Sequence, residues 1–209
     1  MITAEVVVET LVLPDFTAWP IAERPDDLLL ALSGQMSLDQ VGTVMAELFS
    51  RSGIPVEPLS ELHHLLDRHL VEAECLTMSG GLRLHDTTTR AQIVPGCCCG
   101  LEDWRDWAQL LQGDDELWLG HDPHTRVRIE QNKVRLDQNA RALNPAFPSS
   151  VLEISLNELP DLLKAAHRQL QGFLDSVDRW AGALSPQAAS RLVQIFDENF
   201  QISDPLLLD

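Results

Sequence analysis

The stretch TRVRIEQNKVRLD, residues 125–137, decides the fold class. Val127 and Ile129 alternate with charged residues in its first half, and Val134 and Leu136 do so in its second half. A period of two is the pattern of a β-strand with one buried and one exposed face. The stretch therefore predicts a β-hairpin.

The charges of this hairpin suggest a register. If Asn132-Lys133 forms a two-residue turn, Glu130 faces Arg135 and Arg128 faces Asp137. Both polar pairs would then join opposite charges, which stabilises an antiparallel pair. We expect this register.

Outward from the hairpin, helical and strand patterns follow one another along the chain. Two segments have the form of a helix capping box, Ser37 with Gln40 and Ser155 with Glu158. Apolar spacing and turn residues predict strands and helices. The predicted strands are 5–13, 73–78, 82–86, 91–94, 117–119 and 151–154; the predicted helices are 26–32, 41–53, 59–70, 102–111, 158–181 and 185–200.

This order predicts an α+β fold. It has N-terminal helices, a central and mostly antiparallel sheet with the hairpin 125–137, and a long C-terminal helical pair. We expect an α+β domain over residues 1–154, with the helical pair of residues 155–209 packed on it as part of a single domain.

The chain of 209 residues is strongly acidic, with a formal charge of −17. Such a charge repels nucleic-acid phosphate and anionic membranes, so we expect neither as a partner. It attracts a basic protein, although acidity also serves solubility alone. No apolar stretch reaches the roughly 20 residues of a membrane span, and no secretion signal is recognisable. A cytoplasmic protein is expected, and its oligomeric state is left open.

Three adjacent cysteines, Cys97, Cys98 and Cys99, lie between glycines in the stretch PGCCCG, residues 95–100. They suit metal binding or thiol chemistry, and equally the packing of small apolar side chains. The helix start after Gly100 would lower a thiol pKa, whereas the acidic residues at 102, 103 and 106 oppose this. In an extended segment, Cys97 and Cys99 would point to one side and Cys98 to the other.

A second candidate is the stretch GHDPH, residues 120–124. His121 and His124 flank an Asp-Pro pair, which suits a metal or acid–base site but also an ordinary turn. The candidate metal ligands are therefore Cys97, Cys98, Cys99, His121 and His124. We expect no obligatory cofactor, with zinc as the alternative if these residues converge.

Tryptophans and an acidic run form a candidate partner surface, although paired tryptophans on one helix are often core residues. The residues are Trp104, Trp107, Trp118, Asp114, Asp115 and Glu116.

Three arginines of the hairpin, Arg126, Arg128 and Arg135, form a candidate anion site. The neighbouring Glu130 and Asp137 favour instead a solvated, self-neutralised face.

Signatures of catalysis are absent from the sequence. It contains no GxSxG, P-loop, GxGxxG or HExxH motif, and it has no tyrosine. This favours a protein that is not an enzyme.

The stretch GCCCGLEDW at residues 96–104, with WLGHDP at 118–123, resembles a pattern of uncharacterised bacterial proteins. The layout of residues 90–140 is similar to the SMI1/KNR4-like (SUKH) group, which is α+β and includes immunity proteins that neutralise polymorphic toxins. We expect a non-enzymatic cytosolic binding protein. The resemblance implies an immunity-type protein and assigns a role to no single residue, and the acidity of the chain suggests that the neutralised toxin is basic. Two alternatives stay open: a thiol- or metal-dependent protein, and a small-anion sensor.

Overall fold

We describe the protein from a computed structural model that covers residues 1–11, 16–53, 76–141, 147–184 and 186–208, with the side chains of 186–188 excepted. Strands and helices are interspersed along the described part of the chain, which ends with two consecutive helices. The strands are β1 Ile2–Glu9, β2 Leu29–Ala31, β3 Gly80–Asp86, β4 Gln92–Ile93, β5 Thr125–Glu130, β6 Lys133–Gln138 and β7 Ser150–Ser155. The helices are α1 Leu38–Arg51, the 3-10 helix η1 Leu101–Gln112, α2 Leu159–Leu184 and α3 Pro186–Phe200.

The strands of the described ranges form two sheets. One has the order β2-β1-β3-β4 and the other the order β5-β6-β7. β3 pairs with β4, β5 with β6, and β6 with β7, all in antiparallel fashion. Together with the C-terminal helices this confirms the α+β class.

The chain divides into two compact units. The first contains residues 1–7, 79–168 and 205–209, and the second contains residues 8–78 and 169–204. The chain passes from one unit to the other inside β1, between residues 78 and 79, inside α2, and between residues 204 and 205. The expected α+β domain over residues 1–154 with a helical pair over residues 155–209 stays a prediction. Every described helix is too short or too polar to cross a bilayer.

The second unit is built around α1 and the last part of α2. Ser37 and Gln40 form the predicted capping box, which fixes the start of α1. Trp19 lies in the core of this unit, where its indole nitrogen donates to the Gly42 carbonyl at 2.7 Å and its ring meets that of Trp180 edge-on. Because this hydrogen bond satisfies the indole N–H group, the large side chain of Trp19 can be buried without an unpaired donor.

The first unit contains the three-stranded sheet. One face of this sheet is buried and apolar, and the other is charged and exposed. Val134, Leu136 and Ile154 are fully buried on one face. Charged residues alternate with them, as the period-two pattern predicted. The hairpin of residues 125–137 is therefore confirmed, with strands that extend to Gln138.

The register of this hairpin differs from our expectation. Arg128 lies opposite Arg135, and Glu130 lies opposite Lys133. The turn consists of residues 131–132, with Gln131 in the left-handed region at φ 56°. The predicted register was wrong because the turn starts one residue earlier, and Arg135 finds its carboxylates on its own strand and on β7.

Other elements also differ from the sequence-based predictions. The segment predicted as a helix over 26–32 contains the strand β2 instead, and residues 117–119 form no strand. The helix predicted over 102–111 exists as the 3-10 helix η1. The helix predicted over 59–70 lies outside the described residues.

Candidate metal site

Two loops of the first unit are joined by backbone hydrogen bonds. The cysteine loop is residues 96–100, and the histidine loop is residues 118–123. The Gly96 amide donates to the Leu119 carbonyl at 2.8 Å, and the Cys97 amide donates to the Asp122 carbonyl at 2.9 Å. The His121 amide returns a bond of 3.0 Å to the Cys97 carbonyl. These bonds fix Cys97 beside His121.

Two glycines permit this close approach. A Cβ on Gly120 would stand 2.6 Å from the carbonyl carbon of Gly96, and a Cβ on Gly96 would stand 2.8 Å from the carbonyl oxygen of Pro123. Gly120 also has a φ of +93°, which residues with a side chain rarely adopt. Only glycine fits at these two positions, so the close contact between the loops requires the glycines of the sequence.

A tight turn arranges the three cysteines. The Cys99 amide donates to the Gly96 carbonyl at 3.1 Å, and Cys98 lies in the left-handed region with φ 65°. The prediction that Cys97 and Cys99 point to one side of an extended segment and Cys98 to the other is therefore wrong. The turn brings Cys97 and Cys98 together and separates Cys99 from them.

One ligand atom each of Cys97, Cys98 and His121 lies within 4.8 Å of the other two. Cys98 and His121 are exposed, and Cys97 is half-buried. All three cysteines carry reduced thiols. Two thiolates and an imidazole are the donors that Zn²⁺ and Cu⁺ prefer.

Trp118 forms one wall of this cluster. Its ring centroid is 4.6 Å from that of His121, in an edge-on arrangement. Its indole nitrogen donates to the Cys98 carbonyl at 3.3 Å, so the ring is anchored to the cysteine loop. The side chain is nevertheless 44% exposed. The sequence predicted Trp118 only as part of a partner surface, because no local signal in the chain reveals its position beside His121.

Cys99 has a different environment. It is 4% exposed and lies outside the cluster. Burial raises the pKa of the Cys99 thiol to about 12, and Asp103, Glu102 and Asp106 add to this effect. The opposition expected from these three acidic residues is confirmed for Cys99, which is a packing residue rather than a reactive thiol.

His124 is exposed and does not belong to the cluster. Its backbone carbonyl accepts a hydrogen bond from the Asn139 amide at 3.0 Å. Of the five metal ligands that the sequence suggested, the structure brings together three. The fourth cysteine of the chain, Cys75, lies outside the described residues.

The candidate partner surface separates into a buried and an exposed part. Trp104 and Trp107 are 1% and 2% exposed, so they belong to the core and the expectation that they contact a partner is corrected. Asp114, Asp115 and Glu116 are exposed and precede Trp118 by only a few residues. These three carboxylates and Trp118 are therefore the exposed members of the candidate partner surface.

The candidate anion site lies on the exposed face of the β5-β6-β7 sheet. Arg135 forms ion pairs with Asp137 at 3.2 Å and with Glu153 at 3.1 Å. The hydrogen bonds that its guanidinium donates to the Asp137 carboxylate raise the pKa of Arg135 further. Within the described part of the chain, Arg126 and Arg128 form no ion pair. The surroundings of Arg135 favour a solvated, self-neutralised face.

No protein-family model, curated protein or solved structure matches this chain at a significant level.

Proposed function

We propose that this protein binds a thiophilic transition metal ion, with zinc as the first choice, through the thiolates of Cys97 and Cys98 and the imidazole of His121. The observation that carries the proposal is the convergence of three ligand atoms within 4.8 Å. Bonds of about 2.3 Å to sulfur and 2.0 Å to nitrogen place tetrahedral ligands roughly 3.5 to 3.8 Å apart. Limited rotation of the exposed Cys98 and His121 side chains covers the difference.

Preorganisation of the backbone supports this proposal. The three bonds between Gly96, Cys97 and the histidine loop are independent of any ion. Ligands that are already positioned lose little conformational entropy when an ion binds. The charge of the chain acts in the same direction, because carboxylates raise the local concentration of cations.

The test is a measurement of zinc affinity by competition with a chromophoric chelator. We expect one site per chain, and an affinity that falls at least about ten-fold in Cys98→Ser and His121→Ala, since even indirect neighbours of a metal are worth that much. The matched control is His124→Ala, which removes an exposed histidine of the same region outside the cluster. If His121→Ala and His124→Ala bound zinc as tightly as the parent protein, the assignment of ligands would be wrong.

A second candidate function is recognition of a basic protein, in keeping with an immunity-type protein that neutralises a toxin. The observation that favours it is the exposed acidic run of Asp114, Asp115 and Glu116 next to the 44% exposed Trp118. Carboxylates accelerate the encounter with a basic surface, and an exposed tryptophan is a common anchor in interfaces.

This second candidate is tested by co-precipitation with the proteins of the source cell. A basic partner should be retained at low salt, released at high salt, and lost with Trp118→Ala. The Asp114→Asn, Asp115→Asn, Glu116→Gln variant should weaken retention, because it removes three charges without changing side-chain size. If the partner were retained equally at low and high salt, and equally by the parent protein and these variants, this surface would not be the binding site.

A further inference from the structure

We infer that the metal at the Cys97, Cys98 and His121 cluster keeps one coordination position for an exogenous ligand, a small neutral aromatic nitrogen base. This inference rests on the proposed metal-binding function. Zinc takes four ligands, and sites with three protein ligands use the fourth position for water or substrate. Among the residues that the structure describes, the cluster supplies three ligands.

The exposure of the cluster places the fourth position at the surface. Cys98 and His121 are both exposed, and Cys97 is half-buried. A structural zinc site is closed by its own ligands, whereas this cluster is reached directly from solvent. A ligand therefore arrives without any rearrangement of the two loops.

Charge selects a neutral ligand over an anion. Two thiolates already cancel the charge of a divalent ion, so the loaded site itself attracts no anion. Carboxylates lie beside the cysteine loop, because the Gly100 amide donates to Asp103 Oδ2 at 3.3 Å and a Cβ on Gly100 would meet the Glu102 carboxylate. The negative charges of these groups oppose the entry of azide, chloride or phosphate.

Trp118 favours a flat, aromatic ligand. Its ring lies beside His121 and is held by the bond from its indole nitrogen to the Cys98 carbonyl. Nearly half of the side chain stays exposed. An aromatic base bound to the metal next to His121 would contact this ring, as pairs of aromatic rings do at centroid distances of about 4.5 to 7 Å.

The experiment uses the whole chain loaded with Co²⁺, which reports its ligands by visible absorption. Cobalt should give a thiolate charge-transfer band and the d–d bands of a tetrahedral ion. Added imidazole should shift the d–d bands in a saturable manner, whereas azide at the same concentration should leave them unchanged. In fully loaded Trp118→Ala, the affinity for imidazole should fall about 3- to 10-fold.

The outcomes separate the two proposals. If cobalt gives no thiolate band, both the metal-binding function and this inference are overturned. If the band appears but imidazole does not shift the d–d bands, only the exogenous ligand position is overturned. If azide shifts the bands as well as imidazole does, the selection by charge is wrong. If cobalt-loaded Trp118→Ala bound imidazole as tightly as the parent protein, the contact between the ligand and the Trp118 ring would be wrong.

Discussion

Gly120 lies against Gly96 so closely that a Cβ on Gly120 would stand 2.6 Å from the Gly96 carbonyl carbon. This contact joins the cysteine loop to the histidine loop. It brings the thiols of Cys97 and Cys98 to the imidazole of His121. The candidate site therefore depends on two residues that carry no functional group.

The first prediction concerns this glycine contact. Gly120→Ala adds a methyl group where no space exists and forces an alanine to a φ of +93°. We expect it to lower the free energy of unfolding by about 2 kcal/mol or more. We also expect it to weaken zinc binding, because the loops must separate. Chemical denaturation and a zinc competition assay measure the two effects.

Gly113→Ala is the matched control for that variant. Gly113 has a similar φ of +86°, but its added Cβ would have no neighbour within 4 Å. It should cost about 1 kcal/mol from backbone strain alone and leave zinc binding unchanged. Equal zinc affinities in Gly120→Ala and Gly113→Ala would mean that the loop contact does not hold the site together.

A second prediction concerns the order in which the thiols react. Cys98 is exposed and Cys97 half-buried, whereas Cys99 is buried and its raised pKa keeps it protonated. Since only the thiolate is alkylated, Cys99 should react with iodoacetamide roughly 100-fold or more slowly at neutral pH. Fragment mass spectrometry resolves the three positions. Rapid labelling of Cys99 in the native protein would contradict its placement in the core.

The third prediction concerns stability at high pH. The unfolded chain releases the Cys99 proton near pH 9, while the folded chain retains it up to about pH 12. The folded state therefore binds more protons between these values. The stability associated with the Cys99 thiol is present below pH 9 and is lost as the pH rises, by up to about 1.4 kcal/mol per pH unit.

Cys99→Ala tests this dependence. The variant should be less stable at neutral pH and should lose less stability between pH 8 and pH 10.5 than the parent protein. The sequence has no tyrosine, so phenol ionisation does not mask the effect. Parallel stability curves for the two proteins would show that Cys99 is not protected in the folded state.

The fourth prediction separates the two interpretations of the hairpin arginines. Since Arg135 is bound by Asp137 and Glu153, a self-neutralised face should have no specific anion site. Sulfate should then raise the melting temperature equally in the parent protein and in the Arg126→Ala, Arg128→Ala variant. A sulfate effect that vanished in the double variant would establish an anion site on this face.

Local patterns predicted much of the fold. The capping box of Ser37 and Gln40 fixed the start of α1, and the period-two alternation of residues 125–137 identified β5 and β6. The register was missed because it depends on the left-handed backbone of Gln131 and on Glu153 of β7. The alternation of apolar and charged residues in the hairpin reveals neither the conformation of its turn nor a side chain on the third strand.

The candidate site was recognised as two separate stretches. The sequence marked Cys97 and Cys98 in one stretch and His121 in another, yet it could not join them. Their meeting depends on contact between residues far apart in the chain, through Gly96 and Gly120. The expected alternation of the cysteines failed for a local reason, since the turn at Cys98 replaces an extended backbone.

Elemental analysis of the native, untagged protein, purified without chelator and then incubated with zinc and desalted, tests the central claim most directly. We expect about one zinc ion per chain in the parent protein and in His124→Ala, and none in the Cys97→Ser, Cys98→Ser double variant. Circular dichroism of each protein shows that it is folded. A folded parent protein that retains no more zinc than the double variant would contradict the metal site at Cys97, Cys98 and His121.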